Sequence, residues 1–184
     1  LRVGHGHATG VTPAIELLLS DARSTVQAAQ NAAPTWGAFI APLEDANERL
    51  GRAWGQVAHL HAVMDSPELR EVYNANLPKV TTYWTELGEK LELFQKYTAL
   101  RSSAESERLS SARKRIVENA IRDFRLGGAE LPPQKKKRYA EIQEELARLS
   151  AKFSENLLDA TNAFSIYITK EQTPGIPEDV LQAA

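Results

Sequence analysis

Phe124-Arg-Leu-Gly-Gly-Ala-Glu-Leu-Pro-Pro133 is the stretch of this 184-residue chain that decides its fold. Glycine adopts the left-handed conformation that ends many helices, and proline supplies a fixed φ at the first position of a new helix. The pair Gly127-Gly128 therefore predicts a helix end, and the pair Pro132-Pro133 predicts a helix start. We call the glycine pair the glycine corner and assign it to helix capping, because it lacks the spacing and the lysine of a phosphate-binding loop.

The residues after the prolines predict one long helix that runs to about Phe164. Apolar side chains recur in it at spacings of three and four residues, which places them on one helical face. These residues are Tyr139, Ile142, Leu146, Leu149 and Phe153. We expect this face to be buried against the helices that precede it.

The same spacing predicts five helices before the glycine corner. Thr12-Pro13 is a cap-and-proline signal for the first, whose apolar face runs from Ile15 to Ala29. The second carries the apolar positions from Leu43 to Met64, and Asp65-Ser66-Pro67 starts the third. These helices are expected to pack around the long one.

Pro78 predicts a break or kink near Leu77, because an interior proline removes a hydrogen bond and clashes with the preceding turn. A fourth helix is then expected to carry the apolar positions from Val80 to Phe94. Ser102 and Glu105 fit a capping box that starts the fifth, which continues to the glycine corner. The long helix is the sixth.

Past Asn162 the sequence becomes β-branched and aromatic in alternation, which predicts a short extended segment. Thr173 to Pro177 has loop chemistry, and a further helix is expected to open after it. The predicted fold class is all-α: an antiparallel bundle of about six helices with a short extended segment near the C-terminus. Residues 11–184 are predicted to form one helical domain, and residues 1–10 a disordered or vector-altered end.

Composition excludes several classes of function. The chain carries 22 basic and 24 acidic side chains, so its net charge of −2 favours neither a nucleic-acid nor a membrane partner. It has no cysteine, which excludes disulfides, thiolate metal sites and a cysteine nucleophile, and which fits a cytoplasmic location. Its apolar runs, such as Leu17-Leu18-Leu19, are far shorter than the ~20 residues that span a bilayer.

The histidines do not make a zinc-peptidase site. The motif His-Glu-x-x-His, which places two ligands and a general base on one helical face, is missing from the sequence. His59 and His61 lie two residues apart, hence on different faces, and are interpreted as surface or boundary residues. His5 and His7 are a weak His-x-His chelate in a terminus that we expect to be disordered. We therefore assign no catalytic, cofactor-binding or metal-binding residue to this chain.

Two features suggest a binding surface. Arg113-Lys114-Arg115 and Lys135 to Arg138 flank the glycine corner as basic clusters, but no aromatic residues interleave with them, so solvated helix faces are favoured over nucleic-acid binding. The tryptophans form the second feature, since together with two phenylalanines they could line a groove. Because two of them, Trp54 and Trp84, fall on apolar stripes, core packing is the favoured interpretation. The residues concerned are Trp36, Trp54, Trp84, Phe94 and Phe153.

Several segments together resemble the thimet oligopeptidase family of zinc metallopeptidases. The most specific is the opening stretch with its continuation from Lys136 to Thr161. Supporting matches are Val11-Thr-Pro-Ala-Ile-Glu16, Trp36 with Ile40-Ala-Pro-Leu-Glu44, and Asp65-Ser-Pro-Glu-Leu-Arg-Glu-Val-Tyr-Asn74. The resemblance covers residues 11 to 181, and the departures lie in residues 1–10 and in the loop Thr173-Pro-Gly-Ile-Pro177.

The resemblance implies an all-helical, two-lobed zinc metalloendopeptidase with a deep channel between its lobes. This chain would be a fragment from the outer part of one lobe. The family's zinc site, a His-Glu-x-x-His helix with a further Glu, would lie downstream, and none of its residues maps onto this chain. The fragment is then expected to help wall the channel, to admit short peptides and to be inactive alone. Its implied partners are peptide substrates and the missing C-terminal catalytic region.

Two other classes of function stay open. One is a free-standing helical bundle that acts as a protein-interaction or scaffold module. The other is a nucleic-acid-binding protein that uses the two basic clusters, for which affinity would fall steeply with salt.

Overall fold

The computed structural model describes residues 8–183 of the chain. This part contains eight α-helices and no β-strand, which confirms the predicted all-α class. In chain order the helices are α1 (Val11–Asn31), α2 (Ala41–Val63), α3 (Pro67–Gly88), α4 (Leu91–Arg101), α5 (Ala104–Arg108), α6 (Ser111–Leu126), α7 (Pro133–Ala163) and α8 (Glu178–Ala183). Short 3-10 helices occupy Ala8–Gly10 and Lys170–Gln172, and a π-helical turn occupies Trp36–Ile40.

The chain divides into two compact units with their boundary between Ala151 and Lys152. The first unit holds α1 to α6 and the first part of α7, and the second holds the rest of the chain. The prediction that residues 11–184 form one domain stays a prediction. Of the end that we expected to be disordered, residues 1–7 lie outside the described residues, and residues 8–10 form a short helix.

The core of the first unit is built from the apolar faces of α1, α2, α3, α4 and α6. At its centre Phe39 and Tyr97 meet edge to face, with ring centroids 4.8 Å apart. Each large apolar side chain that is removed from water here contributes about 1.5–3 kcal/mol. The most deeply buried apolar residues are Val11, Ile15, Phe39, Ile40, Leu43, Leu50, Val57, Leu93, Tyr97, Leu100 and Val117.

The start of α1 differs from the prediction. Its N-cap is Gly10, and Thr12 lies inside the first turn of the helix. The Thr12 hydroxyl instead accepts a hydrogen bond of 2.7 Å from the side-chain amide of Asn76, which is fully buried on α3. The same amide nitrogen donates to the Val72 carbonyl at 2.8 Å. The threonine therefore ties α1 to α3 and does not cap its own helix.

The predicted break at Pro78 is wrong, since α3 continues through this proline to Gly88. A proline inside a helix costs one hydrogen bond and local strain, and packing on both sides of it can offset that cost. Asn76, Val80 and Tyr83 are all buried around Pro78 and supply that packing. The chain breaks instead at Glu89-Lys90, between α3 and α4.

The tryptophans follow the core prediction only in part. Trp54 is half-buried and packs against the core, as predicted. Trp84 is 38% exposed, and the neighbouring Tyr83 takes the buried position on α3 at 2% exposure. The prediction for Trp84 is wrong because the buried face of α3 runs through Val80 and Tyr83, one residue away from the stripe that the sequence suggested.

The predicted fifth helix is two helices, α5 and α6, separated at Leu109-Ser110. The capping box is wrong, since Ser103 is the N-cap of α5 and makes no side-chain cap bond. The Glu105 carboxylate is engaged elsewhere, because it accepts the backbone N–H of Trp36 at 2.9 Å. A contact with a residue 69 positions away has thus replaced the local one.

The glycine corner is confirmed as a helix cap. Gly128 has a φ of +91°, which favours glycine, and the Ala129 N–H donates to the Phe124 carbonyl at 3.0 Å to close the end of α6. Gly127 lies against Gly88 at the end of α3, so that a Cβ on Gly127 would sit 3.1 Å from the Gly88 Cα. The two helix ends therefore meet backbone to backbone.

The apolar face of α7 is not buried as predicted. In the first unit Ile142, Leu146 and Leu149 are 46%, 55% and 50% exposed. In the second unit Phe153 is also exposed, and Glu155 is the one buried residue that the structure describes in α7. The core of the first unit is formed by side chains of α1 to α4, α6 and the turns next to them, and none of its residues belongs to α7.

The extended segment near the C-terminus is not confirmed. Residues 164–169 lie between α7 and a 3-10 helix, their side chains are exposed, and the described part of the chain offers them no strand to pair with. The helix predicted after the proline-rich loop is present as α8. None of the helices described between residues 8 and 183 is long and apolar enough to cross a membrane.

The corner between α2 and α3 is held by a buried ion pair. Ser66 caps α3 as predicted, with its hydroxyl accepting the Leu69 N–H at 3.2 Å. The Asp65 side chain, 6% exposed, accepts from Nε and Nη2 of Arg70 at 2.7 and 2.5 Å. Both guanidinium nitrogens contact the same carboxylate oxygen, Oδ2, and removing one partner leaves a charge in a poorly solvated place.

We predict that Gly127→Ala lowers the free energy of unfolding by about 1–2 kcal/mol, because its new Cβ would press on the backbone of Gly88 and Asp123 at 3.0–3.2 Å. Gly55→Ala in α2 is the matched control, since a Cβ there meets nothing within 4 Å. That control should stabilise by up to about 1 kcal/mol, because alanine is the better helix former. Urea unfolding followed by circular dichroism measures both, and equal effects would refute the close approach.

We also predict that Asp65→Ala destabilises the chain by about 2–3 kcal/mol. The control is Glu145→Ala, which removes a bidentate pair with Arg148 on an exposed surface. Exposed pairs contribute little, so the thermal midpoint of this control should stay within error of the parent. An Asp65→Ala midpoint equal to that of the control would show that the buried pair does not hold the corner.

Candidate functional site

The two histidines in the described part of the chain differ in environment. His59 is exposed, in line with the prediction of a surface residue. His61 is only 6% exposed, so its interpretation as a surface or boundary residue is wrong. His5 and His7 lie outside the described residues.

His61 belongs to an aromatic stack at the α2–α3 corner. The Tyr73 ring lies between His61, at 4.1 Å and nearly parallel, and Trp54, at 4.9 Å and nearly parallel. The His61 Nε2 is 3.9 Å from a carboxylate oxygen of Asp65. The sequence did not reveal this burial, because the residue that covers the imidazole comes from the next helix.

A His–Asp pair is a familiar part of general-base sites, but this pair is closed to substrates. The side chains of His61 and Asp65 are 8% and 6% exposed, and one imidazole face is covered by Tyr73. The carboxylate is already engaged by Arg70. A general base must come within hydrogen-bonding distance of the proton that it removes, and this buried imidazole cannot be reached by a substrate. The cluster therefore has a structural role.

The described residues do not fit the zinc ion that the family resemblance implies. Between residues 8 and 183, no three or more His, Asp or Glu side chains are grouped so that they could hold a metal ion. A catalytic zinc site needs three protein ligands and an open position. We therefore derive no zinc chemistry from this part of the chain.

Two shallow cavities lie on the first unit. One, of about 260 Å³, is lined by residues of α4, α5 and α6 that include Arg101, Ser106 and Lys114. The other, of about 250 Å³, lies between α1 and α3 and is lined by Arg23 and Glu86. Their charged groups already have protein partners: Lys114 donates to the Glu107 carbonyl at 3.1 Å, and Arg23 pairs with Glu86.

The first basic cluster, Arg113-Lys114-Arg115, is tethered to its surroundings. The Arg113 guanidinium lies 4.7 Å from the centre of the Trp36 ring, which is the geometry of a cation–π contact. Arg115 is 3.6 Å from the Glu118 carboxylate. These contacts favour the predicted solvated helix face over a surface for phosphates.

The second basic cluster, Lys135 to Arg138, opens α7. The Lys136 ammonium donates to the Glu89 carbonyl at 2.5 Å, and Arg138 pairs with Glu141 at 3.2 Å. Burial raises the pKa of the Glu89 carboxyl above its ordinary value, and the nearby Lys136 opposes that rise. Lys136 therefore fastens the start of α7 to the end of α3.

Two buried tyrosines, which the sequence analysis did not single out, hold α3 and α4 to α2. Tyr83 donates to the Asn47 side chain at 2.5 Å, and Tyr97 donates to Glu44 at 3.1 Å. Burial raises the pKa of Tyr83 to about 12 and that of Tyr97 further. Tyr83 follows Val80 by three residues, and this helical spacing could have predicted that both lie on the buried face of α3. Both hydroxyls are protonated hydrogen-bond donors at neutral pH and have a structural role.

The face of α7 that follows the basic cluster carries a row of exposed apolar side chains. Ile142, Leu146 and Leu149, which we call the exposed stripe, recur at spacings of four and three and are each about half exposed. A row of large apolar side chains on one helix face marks a surface that contacts something else. In the second unit Phe164, Ile166 and Tyr167 are exposed as well.

Comparison with known proteins assigns the chain to a family. The family model "Neurolysin/Thimet oligopeptidase, N-terminal domain" matches residues 15–138. Oligopeptidase A of Haemophilus influenzae is 43% identical over 176 residues, which is 95% of this chain and 26% of that protein. Oligopeptidase A of Escherichia coli is 40% identical over 177 residues, with the same two coverages. A probable cytosolic oligopeptidase A of Arabidopsis thaliana is 36% identical over 173 residues, 93% of this chain and 25% of that protein.

The chain spans about a quarter of the length of the curated relatives that it matches. The family model covers well over half of the chain, from the second turn of α1 to the second turn of α7. The match includes the α2–α3 corner, the glycine corner and the start of the long helix, which carried the resemblance in the sequence. The chain therefore belongs to the neurolysin/thimet oligopeptidase family, in which it matches the N-terminal domain.

Proposed function

We propose that this chain is the N-terminal, non-catalytic part of an oligopeptidase A-type zinc metallopeptidase that hydrolyses short peptides. The observation that carries the proposal is the identity of 40–43% to two bacterial oligopeptidases A over 95% of the chain. Because the match extends over nearly every described helix, it supports a common fold and a common place within a larger enzyme.

The non-catalytic role is supported by the chemistry of the chain. Its sequence contains no His-Glu-x-x-His motif, and the described residues hold no metal-binding group. In the buried His61–Asp65 pair, Tyr73 covers one face of the imidazole and Arg70 engages the carboxylate. We place the zinc and the residues that act on the peptide in the part of the protein that the relatives have and this chain does not.

A role as a wall of the substrate channel fits the construction of the first unit. The helices α1, α2 and α3 contain 21, 23 and 22 residues, so that each is about 30 Å long. They are joined by buried tyrosine hydrogen bonds and by a closed apolar core, and such packing resists deformation. A rigid wall of this kind would keep folded proteins out of a channel and admit short, unfolded peptides.

We include a cytoplasmic location in the proposal. The chain has no cysteine, as befits a reducing compartment. One Arabidopsis relative is named as cytosolic and another as chloroplastic or mitochondrial, so the relatives do not share one compartment.

The second candidate function is a free-standing helical-bundle interaction module. It is favoured by one observation: the core of α1 to α6 is closed, while the exposed stripe on α7 is open to a partner. This candidate predicts that the chain folds cooperatively and captures a protein partner without any peptidase attached to it.

Hydrolysis of a quenched fluorescent oligopeptide tests the peptidase proposal. The 184-residue chain with added zinc is expected to show no turnover, because it supplies no zinc site. The full-length protein is expected to cleave the peptide, and a chelator should abolish the cleavage. Chelator-sensitive turnover by the 184-residue chain would contradict its non-catalytic role. A full-length protein without any peptidase activity would contradict the enzyme class.

A further inference from the structure

The exposed stripe consists of three large aliphatic side chains in a row on one face of α7. Ile142, Leu146 and Leu149 follow spacings of four and three, and their exposures are 46%, 55% and 50%. Charged residues flank the row, including the Glu145–Arg148 pair. An apolar row with a charged rim is the usual composition of a helix face that packs on another element.

Two described contacts fasten α7 to the first unit before the stripe begins. Lys136 donates to the Glu89 carbonyl, and Tyr139 lies close to Gly128, with its Cδ1 3.8 Å from where a Cβ on that glycine would be. Beyond Tyr139 the three stripe residues are open, because the core of α1 to α6 is complete without them. The stripe is therefore not an unfinished part of this core.

The stripe also lies just outside the matched N-terminal domain. The family model ends at residue 138, four residues before Ile142. The relatives nevertheless match 93–95% of the chain, so they retain α7. In those relatives about three quarters of the polypeptide lies outside the matched region. The helix thus begins inside the region that the family model matches, and the stripe lies just beyond that region.

A second copy of this chain is a poor occupant on grounds of area. Three half-exposed aliphatic side chains offer on the order of 300 Å², whereas a stable pairing of separate proteins buries about 800 Å² on each partner. A segment of the same polypeptide needs far less surface, because covalent connection supplies a high effective concentration.

We propose that the exposed stripe is the docking surface for the downstream part of the same polypeptide, which packs an apolar helix face on Ile142, Leu146 and Leu149. Under the proposed function, on which this inference rests, that downstream part carries the peptidase site. The first half of α7 then couples the N-terminal helices to the catalytic part, and the glycine corner sets the direction in which it does so.

The test compares Leu146→Glu in the 184-residue chain and in the full-length protein. The control is Leu17→Glu, the same change at a leucine of α1 that is 71% exposed. In the 184-residue chain neither variant should move the thermal midpoint. In the full-length protein Leu146→Glu should lower the midpoint by about 5 °C, because it buries a carboxylate in an apolar contact, while Leu17→Glu should leave it unchanged.

Hydrogen exchange of the unaltered proteins provides a second measurement that does not depend on whether a variant folds. Backbone amides of residues 140–150 should exchange at least about tenfold more slowly in the full-length protein than in the 184-residue chain. Equal exchange in both proteins, or equal midpoints for the two full-length variants, would overturn the proposal. Concentration-dependent dimers of the full-length protein that Leu146→Glu abolishes and Leu17→Glu does not would also overturn it, because the occupant would be a second copy.

Peptide cleavage by the unaltered full-length protein separates this inference from the proposed function. Protection of residues 140–150 in a full-length protein without peptidase activity would support the docking surface and refute the enzyme class. Activity without protection would support the enzyme class and refute the docking surface.

Discussion

The backbone contact between Gly88 and Gly127 is the constraint on which the arrangement of helices in the first unit depends. It brings the end of α3 and the end of α6 so close that a Cβ on Gly127 would lie 3.1–3.2 Å from the Gly88 backbone, which a larger residue could occupy only if the two helix ends moved apart. Gly128 then takes a positive φ and ends α6, and Lys136 fixes the start of α7 to the carbonyl of Glu89, next to Gly88. One contact thus sets where three helices end or begin.

The first unit combines a well-packed apolar core with an apolar helix face that is exposed to solvent. The faces of α1 to α6 bury one another, with Phe39 against Tyr97 at the centre and buried tyrosine hydrogen bonds to α2. The polar clusters that resemble reactive sites, above all His61 with Asp65, are shielded and serve the packing. The exposed stripe stays open to solvent. This open apolar face is the feature by which we propose that the N-terminal helices contact the rest of a larger enzyme.

Local sequence chemistry predicted the helices, the glycine corner and the cap at Ser66, because these depend on residues next to one another. It failed where a distant residue intervened. The Glu105 carboxylate accepts the backbone N–H of Trp36 and does not form the predicted capping box. The Thr12 hydroxyl accepts a hydrogen bond from Asn76 and does not cap its own helix. Packing around Pro78 keeps α3 continuous. Burial of His61 depends on Tyr73, which comes from the next helix. The apolar face of α7 was assigned to the core because periodicity shows that a helix face is apolar but does not show what covers it. The family was recognisable from the residues themselves, because its motifs are local stretches of sequence.

The most direct measurement of the central claim is the sequence of the reading frame that continues from residue 184. The claim is that this chain is the non-catalytic N-terminal part of a metallopeptidase of this family. It predicts that the frame continues for several hundred residues and encodes a His-Glu-x-x-His motif on a helix, with a further glutamate downstream. A stop codon soon after residue 184, or a long continuation without that motif, would contradict the claim and favour a free-standing helical module.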